Sequence, residues 1–370
     1  MATYEDLGVK PFINGVGTVT TEGGSLMAPE VLDAMRSAAS AFVDVPDLNE
    51  KAAAYLARRI GVEAVHISCG AASGVQLSAA ACLTGADKDR VRALPRTEGW
   101  KNEFVISLVD SHSYIHQGIE VCGGTLVRVG TKEAVTTQDM LNGINDRTAA
   151  IVFFLGTQTW EQLSEVCKGA VERGTPVIVD AAAQLPPRSN LTEILGLGAS
   201  LVVFSGGKGV CGPQSAGLVL GKKTLVEAVR MNASPSSAIG RGMKVGKEEI
   251  LAIVTALDRF LDGSDEADRA RWDAQSRTIV EAVAGAPGVK GVVMAEGQQA
   301  APAFAPRAYV EFEDDALGET ARDLMRRLRE GTPSIHVRRT KLGFLVDPMT
   351  LQVGEERVIA ERLREELQAG

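Results

Sequence analysis

The segment Phe204-Ser205-Gly206-Gly207-Lys208-Gly209-Val210-Cys211-Gly212 places one lysine at the end of an apolar run, among four glycines. An amine held there, out of bulk water, has a depressed pKa, which favours attack on a carbonyl and later proton shuttling. Asp180 closes the apolar run Val177-Ile178-Val179, so a carboxylate leaves the carboxyl end of a strand, where doubly wound sheets bind ligands. Ser68-Cys69-Gly70-Ala71-Ala72-Ser73-Gly74 joins another strand to a helix, with residues small enough for backbone N–H groups to close on an anion. Amine, carboxylate and anion nest are the contacts that pyridoxal phosphate needs: a Schiff-base lysine, a partner for the protonated pyridine nitrogen, and a phosphate cradle.

Competing chemistries lack their residues. No Gly-x-Gly-x-x-Gly opens a helix after a strand, Gly207-Lys208 is followed by Gly209 where a Walker loop needs Ser or Thr, and no Gly-x-Ser-x-Gly elbow is present. His112 and His116 have the i, i+4 spacing of a metal pair, but no carboxylate follows at a suitable offset, so no metal is expected.

Positioning these groups requires a sheet. The runs 64–68, 104–109, 125–129, 150–155, 176–179, 201–204 and 216–220 read as strands, most of them continuously apolar, as strands covered on both faces are. Asp47 is a cap for a helix ending at Ile60 before Gly61, and Thr159 with Gln162 forms a capping box for a helix that ends near Gly174. Alternation of strand and helix over about 60–220 implies an α/β fold with a mostly parallel, doubly wound sheet. After Gly246 the pattern changes to two long helices, then to strands at 289–294, 308–312, 334–338 and 343–346 with helices at 319–329 and 355–367, and a surface loop over Gly297–Pro306. The expected organisation is an amino-terminal segment (1–40) packing near the active site and small domain, a large cofactor-binding domain (41–246), connecting helices (247–286) and a smaller C-terminal α+β domain (287–370).

Ile13-Asn14-Gly15-Val16-Gly17-Thr18, Gly23-Gly24-Ser25-Leu26-Met27, Cys69 to Gly74, Asp180-Ala181-Ala182-Ala183-Gln184-Leu185-Pro186-Pro187, Phe204 to Lys208, Gly212-Pro213-Gln214 and Gly240-Arg241-Gly242-Met243-Lys244-Val245-Gly246-Lys247-Glu248-Glu249 resemble the selenocysteine-synthase-like branch of fold-type I pyridoxal phosphate enzymes. The branch holds seryl-tRNA selenium transferases and ammonia-lyases, and the resemblance, from about Pro11 to the carboxyl terminus, leans to the ammonia-lyase side.

The resemblance implies that Lys208 carries the cofactor and shuttles the proton, that Asp180 partners the pyridine nitrogen, and that Gly70, Ala71 and Ala72 hold the phosphate with help from Ser205; Ala182 belongs to the same cofactor shell. It places His116 where relatives stack a residue on the cofactor ring. A histidine there, instead of the tyrosine usual on the lyase side, can also serve as acid or base. Tyr114, Arg241 (with Lys244) and Arg338 become substrate-binding candidates. On 335–338 the strand alternation sets His336 and Arg338 opposite Ile335 and Val337, making Arg338 a fork for a carboxylate. The relatives' Asp-x-Arg-Thr-Leu becomes Asp347-Pro348-Met349-Thr350-Leu351, a departure in the substrate region.

Composition narrows the function. With 39 basic and 47 acidic residues among 370, the net charge is −8, which opposes nucleic-acid binding. The Ile13-Asn14 strand begins too early to leave room for an amino-terminal tRNA-binding domain, so selenium transfer is disfavoured. No apolar run is long enough to span a bilayer, the amino terminus lacks signal-peptide features, and five scattered cysteines read as reduced thiols of a cytoplasmic enzyme. The expected activity is α-proton removal and β-elimination on a small amino acid or amino-sugar acid, releasing ammonia and a 2-oxo acid. Racemisation or epimerisation, retro-aldol cleavage and a degenerate non-catalytic site are the alternatives. Fold-type I sites form between two chains, so a homodimer or higher homo-oligomer is expected, with active sites at the subunit interface.

Overall fold

The computed structural model describes residues 2–294, 304–312 and 319–368; the expected surface loop lies outside them up to position 303. The strands are β1 (Phe12–Gly15), β2 (Ala64–Ser68), β3 (Glu103–Ser107), β4 (Thr125–Val129), β5 (Thr148–Phe154), β6 (Val177–Asp180), β7 (Leu201–Ser205), β8 (Gly217–Gly221), β9 (Val289–Met294), β10 (Arg307–Phe312), β11 (Ser334–Arg339) and β12 (Gly343–Val346). They fall into two compact units: Leu26–Asp262, and the described residues of Met1–Ser25, Gly263–Gln298 and Pro302–Gly370.

The larger unit is built on a seven-stranded sheet of order β2-β8-β7-β6-β5-β3-β4. The five strands from β7 to β4 run parallel, and β8 is antiparallel to both β7 and β2. All seven residues of β5 are buried, because both faces are covered. Val105, Ile151, Phe153, Val179 and Phe204 enter one core, whereas Phe104, Ile106, Val152, Phe154, Ile178 and Val203 enter the other. Period-two alternation therefore sorts a continuous apolar run into two cores. From β3 the chain moves outward to β4, and from β5 it moves the other way to β6. The carboxyl ends of β3 and β5 thus flank a topological switch point, where such sheets open a crevice for ligands.

Local signals set the helices. Helix Trp160–Glu172 starts at the capping box of Thr159 and Gln162. The helix ending at Ile60 is capped by Asp44, whose side chain accepts from the Asp47 N–H, and not by Asp47 itself. Its first turn begins at Val45 with Pro46, a residue without an N–H to lose, which suits an early helical position.

In the smaller unit a five-stranded sheet runs β1-β11-β12-β10-β9. β1 pairs parallel with β11, so the first strand completes a sheet whose other strands lie between Val289 and Val346. The two long helices divide between the units. Helix Lys247–Asp262 packs Ile250, Ile253 and Leu257 into a core of the larger unit, and helix Asp265–Ala282 packs Ile279 into the smaller one. No helix among the described residues is long and apolar enough to cross a membrane.

Candidate active site

The groups singled out in the larger unit converge on the carboxyl edge of its sheet. Asp180 is the last residue of β6, Ser205 the last of β7, and Ser68 the last of β2. From Ser68 the chain turns through Gly70 into helix Ala71–Thr84. Gly70 has φ +83° and ψ 170°, a conformation essentially confined to glycine. The first N–H groups of the helix, at Ala71, Ala72 and Ser73, have no intrahelical acceptor by geometry. The hydroxyls of Ser68 and Ser73 both donate to the Gly70 carbonyl at 2.9 Å and leave those N–H groups for a ligand.

Close approach of backbones sets this nest in place. A Cβ on Gly217, which pairs with Ser68 and Ser205, would lie 2.6 Å from the Gly70 carbonyl carbon. One on Gly74 would lie 2.7 Å from Val203 Cγ1. Helix and sheet therefore touch through glycines, and the helix amino terminus is drawn onto the ends of β7 and β8.

Steric crowding also explains the glycines around Lys208. A Cβ on Gly207 would come within 2.4 Å of Gln214 Cα, one on Gly209 within 2.0 Å of the Leu185 oxygen, and one on Gly206 within 2.7 Å of Ile253 Cδ1. The loop is folded tightly, with Gly206 N–H donating to Ala216 O, Gly212 N–H to Gly206 O and Cys211 N–H to Lys208 O. Cys211 takes a left-handed φ of 56° to close it. Lys208 is thus held by a wedged loop.

Asp180 accepts from the Ala182 N–H at 3.0 Å. Burial pushes its carboxyl pKa up, opposed by the Ala182 hydrogen bond and by the nearby charges of Lys208 and His112, while Asp110 adds to the rise. A half-buried carboxylate that accepts from the Ala182 N–H and has an amine in electrostatic range suits an N–H donor such as a pyridinium. With the phosphate nest beside it, this set of residues fits pyridoxal phosphate.

The two histidines have different neighbours. His112, directly before helix Ser113–Val121, is the imidazole in electrostatic contact with Asp180 and Lys208. His116 lies one turn, about 6 Å, further along the helix. Its ring is tilted 25° to that of Phe154 with centroids 6.2 Å apart, and its Nε2 is 3.9 Å from Asp110 Oδ2. The imidazole at the strand ends is therefore His112, because the helix begins at Ser113 and carries residue 116 away from its mouth. Burial lowers the His116 pKa, whereas the hydrogen bond to Asp110 raises that of His112.

Tyr114 is exposed beside His112, their rings edge to face at 5.5 Å. Partial desolvation raises the phenol pKa, with Asp180 and Asp110 adding to it. Arg241 is exposed on the turn after Gly240. Arg338 belongs to the smaller unit, on β11, near Arg307 and Asp347; burial lowers its pKa and Asp347 counters that. There Arg307 Nε pairs with the buried Asp347 at 2.8 Å, so two guanidiniums share one carboxylate.

Asp110 is the residue the sequence reading missed. It follows the apolar run Phe104–Val109 as Asp180 follows Val177–Val179, and the same strand-end rule would have found it. Elsewhere, an open cleft of about 700 Å³ lined by Arg90, Trp100, Thr148 and Arg173 lies at the amino-terminal edge of the sheet, and none of the groups above borders it. Among the described residues no cluster of three or more His, Cys, Asp or Glu could hold a metal ion.

Residues 114–271 match the family of L-seryl-tRNA selenium transferases. The chain is 32% identical to D-glucosaminate-6-phosphate ammonia lyase of Salmonella typhimurium, over 98% of this chain and 97% of the relative. It is also 32% identical to 5'-C-glycyluridine monooxygenase-decarboxylase of Streptomyces, over 98% of this chain and 91% of that one. Identity to L-seryl-tRNA(Sec) selenium transferase of Nitratidesulfovibrio vulgaris is 25%, over 96% of this chain and 81% of the relative. A solved D-glucosaminate-6-phosphate ammonia-lyase superposes with TM-score 0.82 at 30% identity, over 100% of this chain and 99% of that one. Serine palmitoyltransferase from S. paucimobilis, at 16% identity and TM-score 0.61, shares the fold over 97% of this chain and 88% of its own.

Proposed function

Because this chain belongs to the selenocysteine-synthase-like family of fold-type I pyridoxal phosphate enzymes, we propose that it is an ammonia-lyase-type enzyme acting on a small amino acid or amino-sugar acid. It takes the α-proton, expels the β-substituent and releases ammonia with a 2-oxo acid. The observation that carries the reading is the meeting of Asp180, Lys208 and the helix nest at one sheet edge. The full-length likeness to an ammonia lyase supports the reaction class.

Bound pyridoxal phosphate supplies an electron sink for the pair left at the α-carbon. Ala71 and Ala72, with Gly70 setting the turn and Ser205 beside it, hold the phosphate through N–H and hydroxyl donors. Asp180, oriented by the Ala182 N–H, keeps the pyridine nitrogen protonated. Lys208 anchors the cofactor aldehyde, and its amine then accepts the α-proton. His116 is the resemblance's candidate for stacking on the cofactor ring, and His112, in electrostatic contact with Asp180 and Lys208, is a second. Arg338 remains the candidate for a substrate carboxylate, supported by the excess of guanidinium over carboxylate around Asp347; Tyr114 and Arg241 are candidates by position alone. A cytoplasmic homo-oligomer with shared active sites is part of the proposal; for the oligomer, the exposed Phe42, Val43 and Leu32 on the larger unit offer apolar surface to a second copy.

The test is a panel of D- and L-amino acids in deuterated water, run on the cofactor-loaded protein and on Lys208→Ala. Ammonia and a 2-oxo acid from wild type, with loss of both activity and the coenzyme's visible absorption in the variant, are expected. An α-deuterated antipode without ammonia would make it a racemase. Oxygen uptake with carbon dioxide release would instead align it with the Streptomyces relative.

A further inference from the structure

Asp110 stands three residues beyond the end of β3, beside the switch point, with its side chain only 1% exposed. Its Oδ2 accepts the His112 backbone N–H at 2.9 Å, and its Oδ1 meets His112 Nδ1 at 2.6 Å. The second contact has the length of a charge-assisted bond. Backbone and ring of one residue are thus clamped by one carboxylate, so Nδ1 carries the proton and Nε2 is left for the site. The ring keeps 47% exposure, lies edge-on to Tyr114, and is in electrostatic contact with Asp180 and Lys208 as well as Asp110. His116 shares the carboxylate at 3.9 Å, but its Nε2 is buried with no hydrogen-bond partner and its burial favours the neutral ring. The carboxylate therefore supports one charged imidazole, the one that opens on the site.

We propose that Asp110 is a positioning residue that holds His112 as an imidazolium, whose Nε2–H is the acid for the group leaving the β-carbon of the substrate. The inference rests on the lyase reading. As Lys208 takes the α-proton, the pair of that C–H bond forms the new Cα=Cβ bond. The Cβ–O bond breaks with its pair on oxygen, and the proton from His112 Nε2 turns that oxygen into water. His112, left neutral, regains a proton from solvent at its exposed edge. Lys208 opposes the charged ring, and Asp180 and Asp110 favour it; of the two carboxylates, Asp110 is the one bonded to the ring.

Two readouts test this, one of them independent of turnover. In cofactor-free protein, ¹⁵N-histidine NMR resolves the four imidazoles, assigned with His112→Gln and His116→Gln. His112 is expected as the Nδ1-protonated ring titrating above the ordinary value of 6.5. Asp110→Asn, which keeps a hydrogen-bond acceptor, should move that midpoint towards acid. A His112 that titrates as a free imidazole, or that ignores Asp110→Asn, overturns the proposal. In turnover, serine and β-chloroalanine differ in leaving group, since chloride departs without a proton. Asp110→Asn and His112→Gln should lose about tenfold or more in kcat on serine, the former increasingly as pH rises, with much smaller losses on β-chloroalanine. Equal losses on both substrates overturn the acid role. Wild type that forms no 2-oxo acid from either compound, from the other D- and L-amino acids or from an amino-sugar acid overturns the lyase reading instead, and leaves the NMR result to judge Asp110.

Discussion

Substituting Gly217 by alanine tests the nest directly. Its φ lies outside the left-handed region, so alanine is not strained by its own backbone; the conflict is with neighbours. The added Cβ would lie 2.6 Å from the Gly70 carbonyl carbon and 2.8 Å from both Gly70 O and Ser68 Oγ, where ordinary contact begins at 3.4 Å. Strand and nest must part by roughly 1 Å, and overpacking of this kind costs about 1–3 kcal/mol. If that strain displaces the N–H groups at Ala71 and Ala72, phosphate affinity falls about 5- to 150-fold. Absorbance titration with pyridoxal phosphate and with unphosphorylated pyridoxal separates the cases. The phosphorylated compound should lose far more affinity than the aldehyde alone. Equal weakening of the two, or no weakening of pyridoxal phosphate, would refute the claim that this helix amino terminus is the phosphate site. Gly242→Ala, with open space around its Cβ, is the control and should stay within about 0.5 kcal/mol of wild type.

Two stability predictions follow from other parts of the larger unit. His66 on β2 is 5% exposed, and burial, helped by Arg230, pushes its pKa down to about 4. The unfolded chain therefore takes up this proton first: the stabilising contribution is fully present above about pH 6.5 and is lost as pH falls towards 4, by about 3 kcal/mol in all. Urea unfolding at pH 7.5, 5.5 and 4.5 should show a flatter pH dependence for His66→Asn than for wild type. Thr159→Ala removes the acceptor of the Gln162 N–H at 3.2 Å and should lower stability by about 1 kcal/mol, read as a shift in the urea midpoint with unchanged slope.

Much of the fold was legible because its signals are local. Continuous apolar runs marked the parallel strands, Thr159 and Gln162 marked a helix start, and small residues after Ser68 marked a nest. The site was legible where chemistry and strand ends coincide, at Asp180 and Lys208. Which of His112 and His116 nears Asp180 and Lys208 was not legible, because the offset between a strand and the first turn of the next helix is set by loop geometry, and one turn exchanges one histidine for the other. Asp110 was overlooked because its partner is two residues away in sequence and the pair looks like loop polarity until the carboxylate is seen buried. The cap at Asp44 was missed because Asp47 scores as well by residue type.

By itself, then, the amino-acid sequence determined which side chains can do chemistry, that they follow strands, and that the strands are covered on both faces, since residue type and periodicity act over a few neighbours. Only the tertiary structure decided that the opening strand completes the sheet of the last segment, that the glycines near Lys208 and Gly70 are there for lack of space, and which imidazole meets Asp180 and Lys208. Those outcomes depend on distances between residues far apart in the chain, and such distances are set by packing.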